Sequence, residues 1–161
     1  MLELLLLHCQ ALVCRRPQIG TNADGFLLAY LLNLRGSDIP FNPLFYSYLF
    51  ISLDKAILFL DMAKLADDTN GYLCSLKVER REYKDIWPFL QRREWGKGKL
   101  LLCPETSYAI SLMLTHFRYT VVPSHVDNMK AVKTEVELEG LRRAYLRDGA
   151  AYVCPVSASP V

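Results

Sequence analysis

The sequence predicts an α/β protein built on a mixed β-sheet that is flanked by helices. Short apolar runs rich in aliphatic and aromatic residues alternate along the chain with segments of helical periodicity. Two of these runs, 44–51 and 55–61, are separated only by residues 52–54, which is typical of an antiparallel hairpin. No internal repeat and no linker rich in Pro, Gly or Ser divides the 161 residues, so we expect one domain.

The first half of the chain contains apolar runs whose length and composition predict β-strands. These predicted strands are residues 27–34, 44–51, 55–61 and 72–78. Residues 36–43 separate the first run from the second, and they contain Gly, Ser, Asp, Asn and two prolines. Because such residues form turns and cannot continue a strand, the segment predicts a loop.

The second half begins with an amphipathic helix. Tyr83, Ile86, Trp87 and Leu90 recur at the spacing of one helical face. Pro88 within this stretch predicts that the helix begins late or is kinked, because proline has no amide hydrogen to donate. The elements that we predict next are a strand at 99–103, a helix at 105–116 and a strand at 119–122.

The last predicted element is a helix from about residue 134 to residue 150. Thr134 and Glu137 have the spacing of a capping box, in which each side chain accepts a hydrogen bond from the other residue's amide. Leu138, Leu141 and Tyr145 follow on one face. Residues 154–161 then predict a loose tail.

Composition limits the classes of partner. The formal net charge is only +2, and 52% of the residues are hydrophobic. Acidic and basic residues are interleaved in the run from Lys77 to Asp85, which predicts a solvated surface. We therefore expect no nucleic-acid partner and no anionic membrane surface, since both require a concentrated basic face.

The cysteines favour a reducing compartment. There are five, they are scattered, and no pair has the C-x-x-C spacing of a zinc or redox site. Cys74 and Cys103 lie in apolar runs, so we interpret them as small buried hydrophobic residues. The pattern predicts a cytoplasmic protein.

The amino-terminal segment, Met1 to Cys14, is apolar and includes four consecutive leucines. It is too short to span a bilayer, so we expect no membrane span. We interpret it as a helix that docks on another surface or as sequence that does not belong to the domain. A signal peptide is the alternative, although Glu3 stands where such peptides carry positive charge.

A search for catalytic chemistry finds no motif. The three histidines, His8, His116 and His125, are isolated in sequence, and no metal-binding or nucleophile signature occurs. Asp67 and Asp68 are adjacent and precede Asn70-Gly71, which predicts a turn. We therefore predict no catalytic residue and no metal ligand in this chain.

The loop at residues 33–43 is the best candidate for a functional segment. It is longer and more polar than a simple connection requires, and it carries Arg35 and Asp38. Polar side chains on loops frequently contact ligands, so both residues are candidates to face a substrate. The alternative is that they pair with each other and only hold the loop in shape.

The sequence of this loop is also where the chain resembles a known family. Residues 31–45 read LLNLRGSDIPFNPLF, and the last predicted helix carries EVELEGLRRAYLRDGA at 135–150. Both segments are similar to the second domain of eukaryotic Xaa-Pro aminopeptidases (aminopeptidase P) and to the helix that follows it. The resemblance extends in order from about residue 24 to residue 151, while residues 1–23 and 152–161 do not match.

The resemblance implies a domain division and a site elsewhere. Residues 24–130 would form a domain with the creatinase amino-terminal fold, and 131–151 the first helix of a truncated peptidase domain. In the family, that peptidase domain binds two divalent ions, usually manganese, through Asp, His and Glu side chains. Those ligands would lie beyond this chain, which would therefore hold no cofactor and be inactive alone.

Two function hypotheses follow. The first is a non-catalytic part of an Xaa-Pro aminopeptidase, an enzyme that releases the residue preceding proline at a peptide's amino terminus. Proline-containing peptides would bind only to the complete enzyme. The alternative is an interaction or oligomerisation module whose partner is a second copy or a full-length aminopeptidase subunit. A serine or cysteine hydrolase is disfavoured, because no residue pattern supports an activated nucleophile.

Overall fold

The computed structural model of the chain describes residues 18–20, 25–115 and 117–157. Within them the strands are β1 (Gln18–Gly20), β2 (Ser47–Ile51), β3 (Ala56–Leu60), β4 (Val78–Glu82), β5 (Leu100–Leu102) and β6 (Tyr119–Val121). The α-helices are α1 (Gly25–Leu32), α2 (Asp67–Ser75), α3 (Ile86–Gln91), α4 (Tyr108–Met113), α5 (His125–Ala131) and α6 (Glu135–Ser157). Short 3₁₀ turns occupy Met62–Lys64 and Tyr83–Asp85. Met1 to Cys14, for which the sequence predicts a docking helix, lies outside the described residues.

The strands form a mixed sheet in the order β4-β3-β2-β1-β5-β6. Strand β2 is antiparallel to both of its neighbours, β1 and β3. The pairs β3–β4, β1–β5 and β5–β6 are parallel. The predicted fold class, a mixed sheet flanked by helices, is thus confirmed.

The predicted hairpin is present as β2 and β3. Its register pairs Ser47 with Leu60 at one end and Ile51 with Ala56 at the other. The connecting turn is closed by the amide of Ser52, which donates to the carbonyl of Lys55 at 2.8 Å. Every residue of both strands is buried, so the hairpin forms the centre of the fold.

The core is built on aromatic residues of this hairpin and of α3. The ring of Phe89 lies 4.9 Å from that of Phe50 and 5.3 Å from that of Phe59. All three rings are at most 1% exposed. Because β2 and β3 are covered on both faces, their sequences, apart from Ser47, are apolar throughout rather than alternating.

The prediction of a strand at residues 27–34 is wrong, because this segment forms helix α1. Leu27, Leu28, Leu31 and Leu32 are all buried, so the helix is apolar around most of its circumference. Without a polar face, an apolar run of eight residues carries no periodicity that separates helix from strand.

The prediction of a strand at 72–78 is also wrong. Its first part belongs to α2, which buries Leu73 completely, and its last residue, Val78, begins β4. Leu76 and Lys77 separate the two elements, and Lys77 has a left-handed backbone (φ 56°). Asp67 and Asp68 lie in the first turn of α2, where carboxylates favour the positive end of the helix dipole, and not in the predicted turn.

The predictions for the next elements hold with changed boundaries. The helix near Pro88 does begin late: a 3₁₀ turn precedes α3, which places the proline in the first helical turn. The strands β5 and β6 lie within the predicted ranges. The helix predicted at 105–116 is shorter and spans Tyr108–Met113.

The chain divides into two compact units between Val126 and Asp127. The second unit contains α6, and the predicted capping box is confirmed there. The amide of Thr134 donates to the Glu137 carboxylate at 2.8 Å, and the amide of Glu137 donates to the Thr134 hydroxyl at 3.3 Å. The helix continues to Ser157, so it is longer than predicted and includes the start of the predicted tail. The domain boundary predicted near residue 130 stays a prediction.

Candidate functional site

The loop that carries Arg35 and Asp38 connects α1 to β2. Backbone hydrogen bonds join its two arms, since the amide of Gly36 donates to the carbonyl of Pro43 at 3.2 Å and the amide of Asp38 donates to that of Leu44 at 3.0 Å. A Cβ on Gly36 would lie 2.5 Å from the Cβ of Phe45, so only glycine allows this approach of the two arms. The loop is therefore a closed, well-defined structure.

The loop begins at a helix cap that the sequence analysis missed. Asn33 follows α1 with a left-handed backbone (φ 51°), and the amide of Leu34 donates to the carbonyl of Ala29 at 3.1 Å. Such a residue ends a helix by turning the chain away from its axis. The cap fixes the direction in which residues 34–38 leave α1.

Asp38 anchors the loop to the turn that follows β3. Its carboxylate accepts a hydrogen bond from the Lys64 ammonium at 2.6 Å and another from the backbone amide of Tyr46 at 2.8 Å. The Asp38 side chain is 12% exposed and that of Lys64 is 50% exposed. The bond from Lys64, followed by that from Tyr46, lowers the pKa of Asp38 below its ordinary value.

Arg35 is held by the backbone rather than by Asp38. Its Nη1 donates to the carbonyl of Leu34 at 2.9 Å and to that of Ala29 at 3.3 Å. The alternative of an Arg35–Asp38 pair is therefore wrong, because Lys64 takes that place beside the carboxylate. Both residues predicted to face a substrate nevertheless line one cavity.

This cavity, which we call the loop pocket, has a volume of about 330 Å³. It lies between the loop and the segment after β3. Its apolar wall consists of Leu34, Phe45, Leu60 and Leu65, and its polar rim includes Arg35, Ser37, Asp38, Asp61, Lys64 and Thr69. A larger groove of about 860 Å³ adjoins it and shares Tyr46, Asp61 and Lys64 with it.

Asp61 and Lys64 are the rim residues that the sequence analysis did not select. Asp61 follows β3 directly, and its Oδ1 accepts a hydrogen bond from the amide of Ala63 at 3.1 Å, which caps the short 3₁₀ turn. That turn carries Lys64 to the loop. The signal that could have identified both residues is their position just after a buried strand, where side chains of α/β folds commonly contact ligands.

Among the described side chains, none of the cysteines and histidines considered from the sequence lines the loop pocket. Cys74 is exposed and its sulfur accepts a hydrogen bond from Arg80 at 2.9 Å, so its interpretation as a buried hydrophobic residue is wrong. Cys103 is partly buried. The side chains of His8, His116 and His125 lie outside the described part of the chain.

Two further searches cover the same described residues. No three His, Cys, Asp or Glu side chains in residues 25–115 and 117–153 form a group that could hold a metal ion. No helix in the described ranges combines the length and apolar character that a membrane crossing requires.

Comparison with known proteins places this geometry in a family. Residues 26–137 match the family model described as the creatinase/prolidase N-terminal domain. A probable Xaa-Pro aminopeptidase P from Pyricularia oryzae is 39% identical over 139 aligned residues, which cover 78% of this chain and 22% of that relative. The chain thus spans about a fifth of the length of this relative.

Solved structures give the same result. The X-prolyl aminopeptidase of Caenorhabditis elegans, a cytosolic enzyme with a di-nuclear active site, matches with a TM-score of 0.83 at 30% identity. The match covers 97% of this chain and 26% of that enzyme. The Xaa-Pro dipeptidase of Bacillus anthracis, at 16% identity and a TM-score of 0.69, shares the fold. With the family model matching well over half of its residues, the chain belongs to the creatinase/prolidase N-terminal domain family.

Proposed function

We propose that the described residues form a non-catalytic domain of a metal-dependent Xaa-Pro aminopeptidase. The proposal is carried by the match to the C. elegans X-prolyl aminopeptidase over 97% of this chain. The parent reaction would release the amino-terminal residue from peptides with proline in second position. Two metal ions, manganese in our prediction, would be bound by residues other than those described. We infer a cytoplasmic protein, because the C. elegans relative is a cytosolic enzyme.

The contribution of this domain to such an enzyme would be structural and substrate-directed. Backbone hydrogen bonds close the loop that lines the loop pocket, and Arg35 lies on the rim, which supports a role in positioning the peptide near the catalytic residues. Asp38 contributes by holding the loop, since Lys64 and Tyr46 already occupy its carboxylate. We propose that residues 24–130 form this domain and that residues 131–151, which contain the start of α6, begin the peptidase domain.

A domain exchange tests the proposal. Residues 26–137 would replace the matching segment of the C. elegans X-prolyl aminopeptidase, and cleavage of an Xaa-Pro peptide would be measured with manganese. We expect the chimera to cleave the peptide. The matched control carries the corresponding segment of the B. anthracis dipeptidase, which shares only the fold and should support little cleavage. A folded chimera without activity would refute the proposal.

Two further measurements use the same materials. The 161-residue chain alone should release no amino acid from the peptide, and release above the blank would contradict a non-catalytic domain. In an active chimera, Arg35→Ala should raise KM or lower kcat/KM by several-fold or more if the guanidinium contacts substrate. Unchanged kinetics would assign Arg35 to loop structure.

The second candidate function is an interaction module, and the surface of α6 favours it. Leu141 is 43% exposed, Tyr145 75% and Tyr152 79%, and the three lie along one side of the helix. Exposed apolar stripes of this kind support association with a second copy or with an aminopeptidase subunit. Light scattering of the purified chain tests this alternative, and a monomer at high concentration would exclude self-association.

A further inference from the structure

The loop pocket has the dimensions and the lining of a small-molecule site. Ligand cavities range from about 300 to 1,000 Å³, and this one lies at the lower end with about 330 Å³. Such a volume admits one or two amino-acid residues. The apolar wall of Leu34, Phe45, Leu60 and Leu65 would receive an aliphatic side chain or ring.

Two cations on the rim keep donors that their internal bonds do not use. Among the described residues, Arg35 is held through Nη1 alone, so its Nε and Nη2 hydrogens can bond to a ligand. The Lys64 ammonium donates one hydrogen to Asp38 and carries two more. Because a guanidinium binds a carboxylate through two parallel hydrogen bonds, these groups favour a carboxylate ligand.

The rim also provides a carboxylate that can accept from a ligand. Asp61 uses Oδ1 to cap the 3₁₀ turn and is attracted to the nearby Lys64 ammonium, and the described residues give its carboxylate no hydrogen bond other than that from Ala63. The Asp38 carboxylate, by contrast, already accepts hydrogen bonds from Lys64 and Tyr46. With Arg35 and Lys64 positive and both aspartates negative, the rim has no formal net charge. A simple ion is attracted by one pair of these charges and repelled by the other, whereas a ligand with both charges matches the rim.

We propose that the loop pocket binds a zwitterionic amino acid or dipeptide. Arg35 and Lys64 hold its carboxylate, Asp61 holds its ammonium, and the apolar wall receives its side chain. The physiological meaning of this site rests on the proposed function, because the peptides and amino acids that an aminopeptidase handles are zwitterions of this kind. The binding itself belongs to residues of this chain and can be measured without any peptidase activity.

The test is a titration of the purified 161-residue chain by isothermal calorimetry or by chemical-shift changes. The probes are leucine, leucyl-proline, leucinamide, which lacks the carboxylate, and N-acetyl-leucine, which lacks the ammonium. We expect saturable binding of leucine and of the dipeptide, and affinities lower by about tenfold or more for both blocked probes.

Variants assign the contacts. Arg35→Gln and Lys64→Gln should each weaken leucine binding by about tenfold or more, because each removes a charged donor. Asp61→Asn keeps the cap, since asparagine caps helices as well as aspartate, and should weaken binding of leucine but not of N-acetyl-leucine. Lys84→Gln is the matched control, because Lys84 lines the adjoining groove and not the loop pocket.

The outcomes separate this proposal from the proposed function. Absence of saturable binding at millimolar leucine and leucyl-proline overturns the proposal, as does equal affinity for leucinamide or no effect of Arg35→Gln in a folded variant. Circular dichroism checks the folding of each variant, and Arg35→Lys serves as the second variant if Arg35→Gln unfolds. An active domain-exchange chimera without leucine binding would refute only the zwitterion site. An inactive, folded chimera with leucine binding would refute only the aminopeptidase function.

Discussion

Substitution of Gly36 by alanine should destabilise the fold through one identifiable collision. A Cβ at this position would lie 2.5 Å from the Cβ of Phe45, 2.9 Å from the carbonyl oxygen of Leu44 and 3.1 Å from its carbonyl carbon. None of these atoms can move by a side-chain rotation, because each belongs to the backbone or is attached directly to it. The two arms of the loop must therefore separate.

The magnitude follows from what that separation disrupts. Forcing an extra methyl group into a packed site costs about 1–3 kcal/mol. The backbone hydrogen bonds from Gly36 to Pro43 and from Asp38 to Leu44 also weaken, and each contributes roughly 0.5–1.5 kcal/mol. We expect Gly36→Ala to lower the free energy of unfolding by about 2–4 kcal/mol.

Urea denaturation measures this change, with unfolding monitored by the fluorescence of Trp87 and Trp95. Both tryptophans lie in the first unit. The matched control is Gly71→Ala in α2, where an added Cβ meets nothing within 4 Å. Since alanine favours the helix over glycine, the control should gain about 0.5–1 kcal/mol. Equal stability of Gly36→Ala and the wild type would show that the loop opens without cost and that the contact between its two arms does not stabilise the fold.

Three further substitutions test other local arguments. Asp38→Asn should destabilise the fold by about 1 kcal/mol at pH 7. Because the folded pKa of Asp38 is below its ordinary value of 3.8, the ionised carboxylate stabilises the fold at higher pH. The difference in unfolding free energy between Asp38→Asn and the wild type, measured by urea titration, should therefore vanish as the pH falls through the folded pKa. A constant difference down to pH 2 would contradict the ion pair with Lys64. Thr134→Ala should cost α6 about 1 kcal/mol and speed hydrogen exchange of the Glu137 amide, and unchanged exchange would contradict the cap. Phe41→Asn should raise stability by up to about 1 kcal/mol in thermal melts, because the ring is fully exposed at a left-handed φ of 63°, and a loss would show that the ring packs on something.

The elements that the sequence predicted correctly are those specified by neighbouring residues. The hairpin of β2 and β3 requires only two apolar runs and a short connection between them. The capping box requires only Thr134 and Glu137 at the right spacing. In each case a few neighbouring residues determine the local geometry, so interactions with the rest of the chain do not easily change it.

Helices α1 and α2 were both missed, and for α1 the reason lies in its burial. A helix buried on most sides loses the polar face by which periodicity is recognised, and α1 is such a helix. Both helices nevertheless end at residues with left-handed backbones, Asn33 and Lys77. Asparagine directly after an apolar run is a recognised helix-stop signal, so the sequence did contain the information for α1. Lysine at the corresponding place after α2 gives no such signal.

Arg35 and Asp38 of the loop pocket were selected from the sequence, whereas Asp61 and Lys64 were not. The register of the hairpin explains why these two residues lie beside the loop. The pairing of Ser47 with Leu60 places the start of β2 opposite the end of β3. The loop that leads into β2 must therefore meet the segment that leaves β3, which brings Asp38 to Lys64 although 26 residues separate them. Glu82 is the last residue of β4 and pairs with Leu60 of β3, so it lies at the same edge of the sheet.

This edge of the sheet is also where a binding site is expected on physical grounds. In open α/β sheets, ligands bind beyond the carboxyl ends of parallel strands, because the chain segments that leave those strands diverge there and form a crevice. Strands β3 and β4 are such a pair, and Asp61 and Glu82 stand at their carboxyl ends. The α1–β2 loop closes this crevice from a third side, so the loop pocket results from topology and not from loop sequence alone. Residues 33–43 could vary in length without removing the crevice, whereas the carbonyls of Ala29 and Leu34 hold Arg35 at its rim and Asp38 holds the loop around it.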